Sequence, residues 1–119
     1  MSEAFQNWIP IRSVSLSHFP KCGECAIVYC LRDARIGEIL KYGKTGCARG
    51  RIFKDYFGGA GGPTTKRIHS NLFEDGMIEH VEIAWLEMIN GLAAETEEKK
   101  FRAQFVKANG HWPLWDLKD

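Results

Sequence analysis

Long apolar runs are missing from this 119-residue chain. The longest, Ala26–Leu31 and Ile83–Leu86, have the length of strands, whereas a helix that crosses a bilayer needs about 20 apolar residues. No membrane partner is expected. The N-terminus has neither the basic start nor the apolar core of a secretory leader, so the expected location is cytoplasmic. Net charge is almost lacking, at +1, which removes total charge as an argument for a polyanionic partner. Cysteine is scarce: Cys22, Cys25, Cys30 and Cys47 are the whole set, and in a cytoplasmic chain they are expected as reduced thiols. Cys22-Gly-Glu-Cys25 has no second ligand pair at zinc spacing, and His69, His80 and His111 are scattered. A thioredoxin-like motif would open a helix, but here a strand follows. Repeats, linkers and low-complexity tracts are absent, which leaves one domain.

What remains is a globular composition, 45% hydrophobic and 26% charged, enough for a core without staples. Residues 1–25 read as an extended lead-in that lays apolar side chains on the domain, and 26–119 as the domain itself. Ala26–Leu31 is β-branched and aromatic, a buried strand. Arg32–Glu38 is a turn and Ile39–Gly43 a second strand, so the two form an antiparallel hairpin. A helix is expected from about Cys47 to Phe57, with Ile52, Phe53 and Tyr56 on one face. Gly58–Pro63 is a loop, and Thr64 or Thr65 is expected to cap a second helix with Ile68, Leu72 and Phe73 inward. Val81–Leu86 is a third strand. The last helix, about Leu92 to Lys107, lines up Ala94, Glu98, Phe101 and Phe105 and stops at Asn109-Gly110. The expected fold is α+β: a small three-stranded, mostly antiparallel sheet flanked by helices, in the order β-β-α-α-β-α.

Charge is distributed unevenly. From Lys41 to Arg67, seven cations face Asp55 alone, while from Ile68 to Glu98 there are eight carboxylates and no Lys or Arg. A local basic face binds phosphates even when the total is neutral. The two blocks pairing with each other is the competing account. The Gly-rich loop either admits a nucleic-acid backbone to Thr64, Thr65, Lys66 and Arg67 or simply connects two helices. It lacks the pattern of a P-loop.

Four polar residues stand out against apolar surroundings. Tyr29 lies in a buried strand, Lys41 on its hairpin partner, Arg51 on the first helix and Glu98 on the inner face of the last. A phenol can act as general base, an arginine can stabilise phosphate charge, and a carboxylate can hold a metal. In order and spacing the chain resembles the GIY-YIG nuclease superfamily. Ile27-Val28-Tyr29 stands for the first motif and Lys41-Tyr42-Gly43-Lys44-Thr45 for the second. Arg51-Ile52 stands for the arginine, Glu98 with Phe101 and Phe105 for the glutamate helix, and Pro113-Leu-Trp-Asp116 for the tail. Ile27 replaces a glycine, Lys41 a tyrosine and Asp116 an asparagine, while Tyr56 occupies the place of a frequent histidine. Glu95 and Glu97 are alternatives to Glu98.

The resemblance implies a metal-dependent endonuclease that hydrolyses phosphodiesters in DNA, or RNA, with Mg²⁺ or Mn²⁺ held by Glu98. Tyr29, Lys41, Arg51 and Glu98 would form the catalytic set, with Lys41 lowering the Tyr29 pKa or orienting the attacking water. Lys44, Thr45, Tyr56, Lys66, Arg67 and Asp116 would contact substrate. A chain this short calls for a homodimer, loop contacts or a partner protein to cut selectively. The competing readings are a nucleic-acid-binding module without catalysis and a protein-interaction domain using the acidic segment and the tryptophans.

Overall fold

The computed structural model describes residues 4–116. Four strands, Ile9–Pro10 (β1), Ala26–Asp33 (β2), Glu38–Thr45 (β3) and Val81–Met88 (β4), form one sheet in the order β1-β4-β2-β3. Every neighbouring pair is antiparallel. The α+β class and the hairpin agree with the sequence, but the sheet has four strands instead of three. The additional strand pairs Ile9 with Ile83 and Pro10 with Glu82. Two residues carry no periodicity, and a proline, having no N–H, fits only an edge, so this strand leaves no pattern to read.

β2 is the centre of the sheet and is buried on both faces. Ile27, Tyr29 and Leu31 point into one core, together with Ile52, Tyr56, Ile68, Leu72 and Ile83. Val28 and Cys30 point into the other, with Tyr42, Ala84, Phe101 and Phe5. The alternation follows from the two-residue period of a strand. Each fully buried aliphatic or aromatic side chain contributes about 1.5–3 kcal/mol. Helices cover both faces: Pro63–Phe73 (α1) and a helical segment at Gly50–Tyr56 on the Tyr29 side, and Gly91–Asn109 (α2) on the Tyr42 side.

Three local details differ from expectation. The segment Gly50–Tyr56 is a π-helix, not an α-helix, and closes with Phe57 N–H donating to the Ile52 carbonyl at 2.9 Å. α1 begins at Pro63, so no threonine caps it; its first position needs no N–H partner. Thr65 instead donates to the carbonyls of Ala60 and Gly62, each at 2.9 Å. Phe73 ends α1 exposed instead of inward. α2 follows the expected pattern. The Asn90 side chain accepts from Ala93 N–H at 2.8 Å, and Gly110 ends the helix at φ 78°, where a Cβ is disfavoured.

The cysteines correct a further expectation. Cys22 and Cys47 are joined in a disulfide, while Cys25 and Cys30 are free. The CxxC spacing therefore does not mark a pair; its first member is bonded 25 residues along the chain to Cys47, three residues before the π-helical segment. Among the described residues no helix is long and apolar enough to cross a membrane.

Candidate active site

Tyr29 sits at the middle of β2, opposite Gly43 on β3. Its ring lies over the Gly43 backbone so closely that a Cβ at Gly43 would occupy the space of the phenol. Glycine is thus required at this position by the tyrosine across the hairpin, not by a turn. The Tyr29 hydroxyl is buried and hydrogen-bonded to the Tyr56 hydroxyl, itself buried, with the two rings edge to face at 6.2 Å.

The π-helix brings Arg51 and Tyr56 to the same place. In an α-helix, residues five apart point about 140° away from each other. Closing the turn at i+5 rotates them toward one side, and π-turns recur at functional sites for this reason. The Arg51 charge acts on both phenols. Its side chain is one-third exposed and lies 3.6 Å from Asp55, one helical turn on. Among the described residues its Nε is the one buried side-chain nitrogen or oxygen with no hydrogen-bond partner. The Tyr56 carbonyl, near the end of the segment, accepts from His69 Nδ1 at 2.8 Å.

At the β3 edge lies a chain of four charges. Lys41 Nζ donates to Asp116 Oδ1 at 2.9 Å, and both groups are buried. Arg102 Nη2 reaches Asp116 Oδ1 at 3.2 Å, Glu98 Oε2 at 3.3 Å and the Tyr42 carbonyl at 2.9 Å. The Tyr42 N–H donates to Asp116 Oδ2 at 3.3 Å. Asp116 is held there because the tail folds back, with Trp115 N–H donating to the Leu40 carbonyl at 2.8 Å and the Trp115 ring buried. Arg102 is the residue that sequence reasoning missed. Its signal was present, since it stands four positions after Glu98 on the same helical face.

Electrostatics ties these groups to the phenols. Burial pushes the Tyr29 pKa up to about 12; the Tyr56 hydrogen bond and Arg51 oppose the rise, and Glu98 and Asp116 add to it. Burial also holds the Tyr56 pKa well above the ordinary value, reinforced by Tyr29. The expectation that Lys41 would depress the Tyr29 pKa is therefore corrected. Desolvation dominates, and the Lys41 charge is matched by Asp116. The Arg102 pKa is raised: burial works against the charged form, but Asp116 and Glu98 outweigh it.

The structure pairs Tyr29 with Tyr56, and separately joins Lys41, Asp116, Arg102 and Glu98; the charges of Arg51, Glu98 and Asp116 act on the Tyr29 phenol. Asp116 faces protein cations instead of solvent, so its carboxylate is engaged before any substrate arrives. Glu98 is the inward glutamate of its helix. Glu95 lies by Lys99 and Glu97 by Lys100, both more exposed. Thr45 is buried and its hydroxyl accepts from Cys47 N–H at 3.0 Å, a local turn contact. Lys44 is exposed and, by register with Val28, belongs to the sheet face covered by α2 and not to that of Tyr29. Lys66 is exposed on α1, and Arg67 donates to the Leu114 carbonyl at 3.0 Å, pinning the tail.

Among the described residues no three His, Cys, Asp or Glu side chains are grouped as a self-sufficient metal site. Mg²⁺, however, retains several waters and is commonly held by one or two carboxylates plus substrate phosphate. Glu98 Oε2 lies 3.3 Å from Arg102 Nη2, and a single carboxylate beside an arginine fits that mode. Compared with protein-family models, curated proteins and solved structures, the chain has no match.

Proposed function

We propose that this domain binds and hydrolyses a nucleic-acid phosphodiester, as a metal-dependent endonuclease of the GIY-YIG type, with DNA as the first substrate class. The observation that carries the reading is the buried, unpartnered Arg51 Nε of a guanidinium whose charge acts on two hydrogen-bonded phenols. A buried donor on a cation without an acceptor is costly, and an anion relieves it. A phosphate oxygen supplies both the acceptor and the charge.

In this reading Arg51 binds the scissile phosphate and offsets the charge that grows in the transition state. Tyr29 is neutral at pH 7, since a pKa of about 12 leaves roughly one phenol in 10⁵ ionised. It therefore orients the attacking water by hydrogen bonding, with Tyr56 holding its hydroxyl, and the water's proton passes to a non-bridging phosphate oxygen as the bond to phosphorus forms. Glu98 would hold Mg²⁺ or Mn²⁺, which when bound polarises a phosphate oxygen and stabilises the leaving oxygen. Arg102 fixes the Glu98 carboxylate from behind while Asp116 balances the cations.

The test is cleavage of duplex, single-stranded and branched DNA, and of RNA, with Mg²⁺ or Mn²⁺. Arg51→Ala and Glu98→Ala should each lose cleavage by about 10²-fold or more while keeping the fold. Wild-type rates in either variant would remove the assigned roles. A second reading, a binding module without catalysis, draws on the neutralised Lys41 and the strongly raised Tyr29 pKa. It predicts salt-sensitive binding with no cutting under any metal condition.

A further inference from the structure

The disulfide links the lead-in to the segment that carries Arg51. Cys47 lies three residues before the π-helix, and its carbonyl accepts the Arg51 N–H at 3.0 Å. Its sulfur also faces Gly50 N–H at 3.4 Å. A second tie joins the same two segments, because the Arg49 guanidinium donates to the Phe19 carbonyl at 3.0 and 3.3 Å. Phe19 in turn packs on Phe53 of the π-helix and on Trp85 of β4. The backbone position of Arg51 is thus set by a residue whose side chain is covalently fixed to the lead-in. Cys22, the other half of the bond, is exposed.

We infer that the Cys22–Cys47 disulfide is a redox latch: oxidised, it holds the π-helix in the geometry that aims Arg51, and reduction by a dithiol releases it. This rests on the phosphodiesterase reading for its consequence, but not for its structural effect. In the reaction, a thiolate of the dithiol attacks the exposed Cys22 sulfur and the Cys22–Cys47 bond breaks. Cys47 leaves as a thiolate and takes up a proton. The second thiol of the reductant then closes on the first, releasing Cys22. Two electrons pass to the protein, and the dithiol ends as its own disulfide. Cys25, three residues from Cys22, does not compete. Burial first, then Glu87 and Glu24, raise its pKa and keep it a poor nucleophile at neutral pH.

Amide hydrogen exchange of the full chain tests the latch, oxidised with diamide and then treated with dithiothreitol. Thiol counting on the oxidised chain should find two free cysteines, Cys25 and Cys30. Reduction should accelerate exchange in residues 47–57 at least about tenfold beyond any change in β4, since local opening adds to global unfolding there. Cys22→Ser should match the reduced state under both conditions, and Cys25→Ser should match wild type. Four free thiols after oxidation, or equal changes in residues 47–57 and β4, would overturn the latch. Cleavage provides the separate arm. If the oxidised chain cuts, the rate should fall about ten- to a hundredfold on reduction and return on reoxidation, because small misplacements near the reacting atoms cost that much. An unchanged rate would overturn the regulatory role. If the oxidised chain never cuts, the nuclease reading fails, and the exchange data still decide the latch.

Discussion

The paired phenols invite a double-mutant cycle. Tyr29 and Tyr56 are both buried, and each hydroxyl has the other as its hydrogen-bond partner. Tyr29→Phe removes one hydroxyl and leaves the other desolvated and unpaired. That costs about 1–3 kcal/mol, and Tyr56→Phe should cost a similar amount for the same reason. Removing both hydroxyls removes both penalties, so the Tyr29→Phe/Tyr56→Phe variant should sit within roughly 1 kcal/mol of wild type. The expected coupling between the sites is therefore about 2 kcal/mol or more. Urea unfolding followed by tryptophan fluorescence reads this directly, and the chain carries four tryptophans. Cleavage should behave differently: the double variant recovers stability but stays inactive, since no phenol hydroxyl remains to orient the attacking water. Two single losses that simply add would show that the hydroxyls do not depend on each other. A stable double variant that still cuts at the wild-type rate would remove the tyrosines from the chemistry.

Other perturbations follow from the same geometry. Asp116→Asn leaves the buried Lys41 ammonium without its counter-charge, which should lower stability by about 3–5 kcal/mol, with thermal melting as the readout. Gly43→Ala places a methyl against the Tyr29 ring and should destabilise by about 1–3 kcal/mol, as other overpacked sites do; a neutral result would mean that the ring can move aside. The pH dependence has a defined sign. Tyr29 titrates near 10 when unfolded and about 12 when folded, so the unfolded chain ionises first. Stability is fully present below pH 10 and declines as pH rises through 12, by on the order of 2–3 kcal/mol from this group. In Tyr29→Phe the alkaline decline should be shallower, and an identical decline would show that another group controls it.

Much of the scaffold was legible because local pattern and tertiary demand agree. β2 reads as buried because it is covered on both faces, and the Asn109-Gly110 stop works through a positive φ that glycine tolerates. The π-turn in Gly50–Tyr56 was not legible. Ile52, Phe53 and Tyr56 fit helical spacing, and the choice between four- and five-residue closure depends on what those side chains meet across the sheet. The disulfide was hidden for a related reason. Adjacency in sequence draws attention to Cys22 and Cys25, while the fold brings Cys47 to Cys22 from the other side of the hairpin.

The site shows the same division between residue identity and residue state. Tyr29, Arg51 and Glu98 were identifiable as polar groups in apolar contexts, and the charges of Arg51 and Glu98 act on the Tyr29 phenol. Their electrostatic condition was not, because it depends on residues with no motif of their own. Arg102 bridges Glu98 and Asp116, and Asp116 occupies Lys41. An expected catalytic lysine thereby becomes half of an internal ion pair, and an expected substrate contact becomes its other half. Lys41 is paired with Asp116, whereas Arg51, 3.6 Å from Asp55, keeps a buried Nε with no hydrogen-bond partner. In the proposed reading, phosphate recognition would rest on this one side chain, whose backbone N–H donates to the Cys47 carbonyl. Charge reversal at Arg51 should abolish anion binding and leave the Lys41–Asp116 pair intact. Replacing Lys41 should cost stability before it costs affinity. Parallel measurement of melting and phosphate-dependent binding in Arg51→Glu and Lys41→Met separates the two, and a larger affinity loss in Lys41→Met would reverse this assignment.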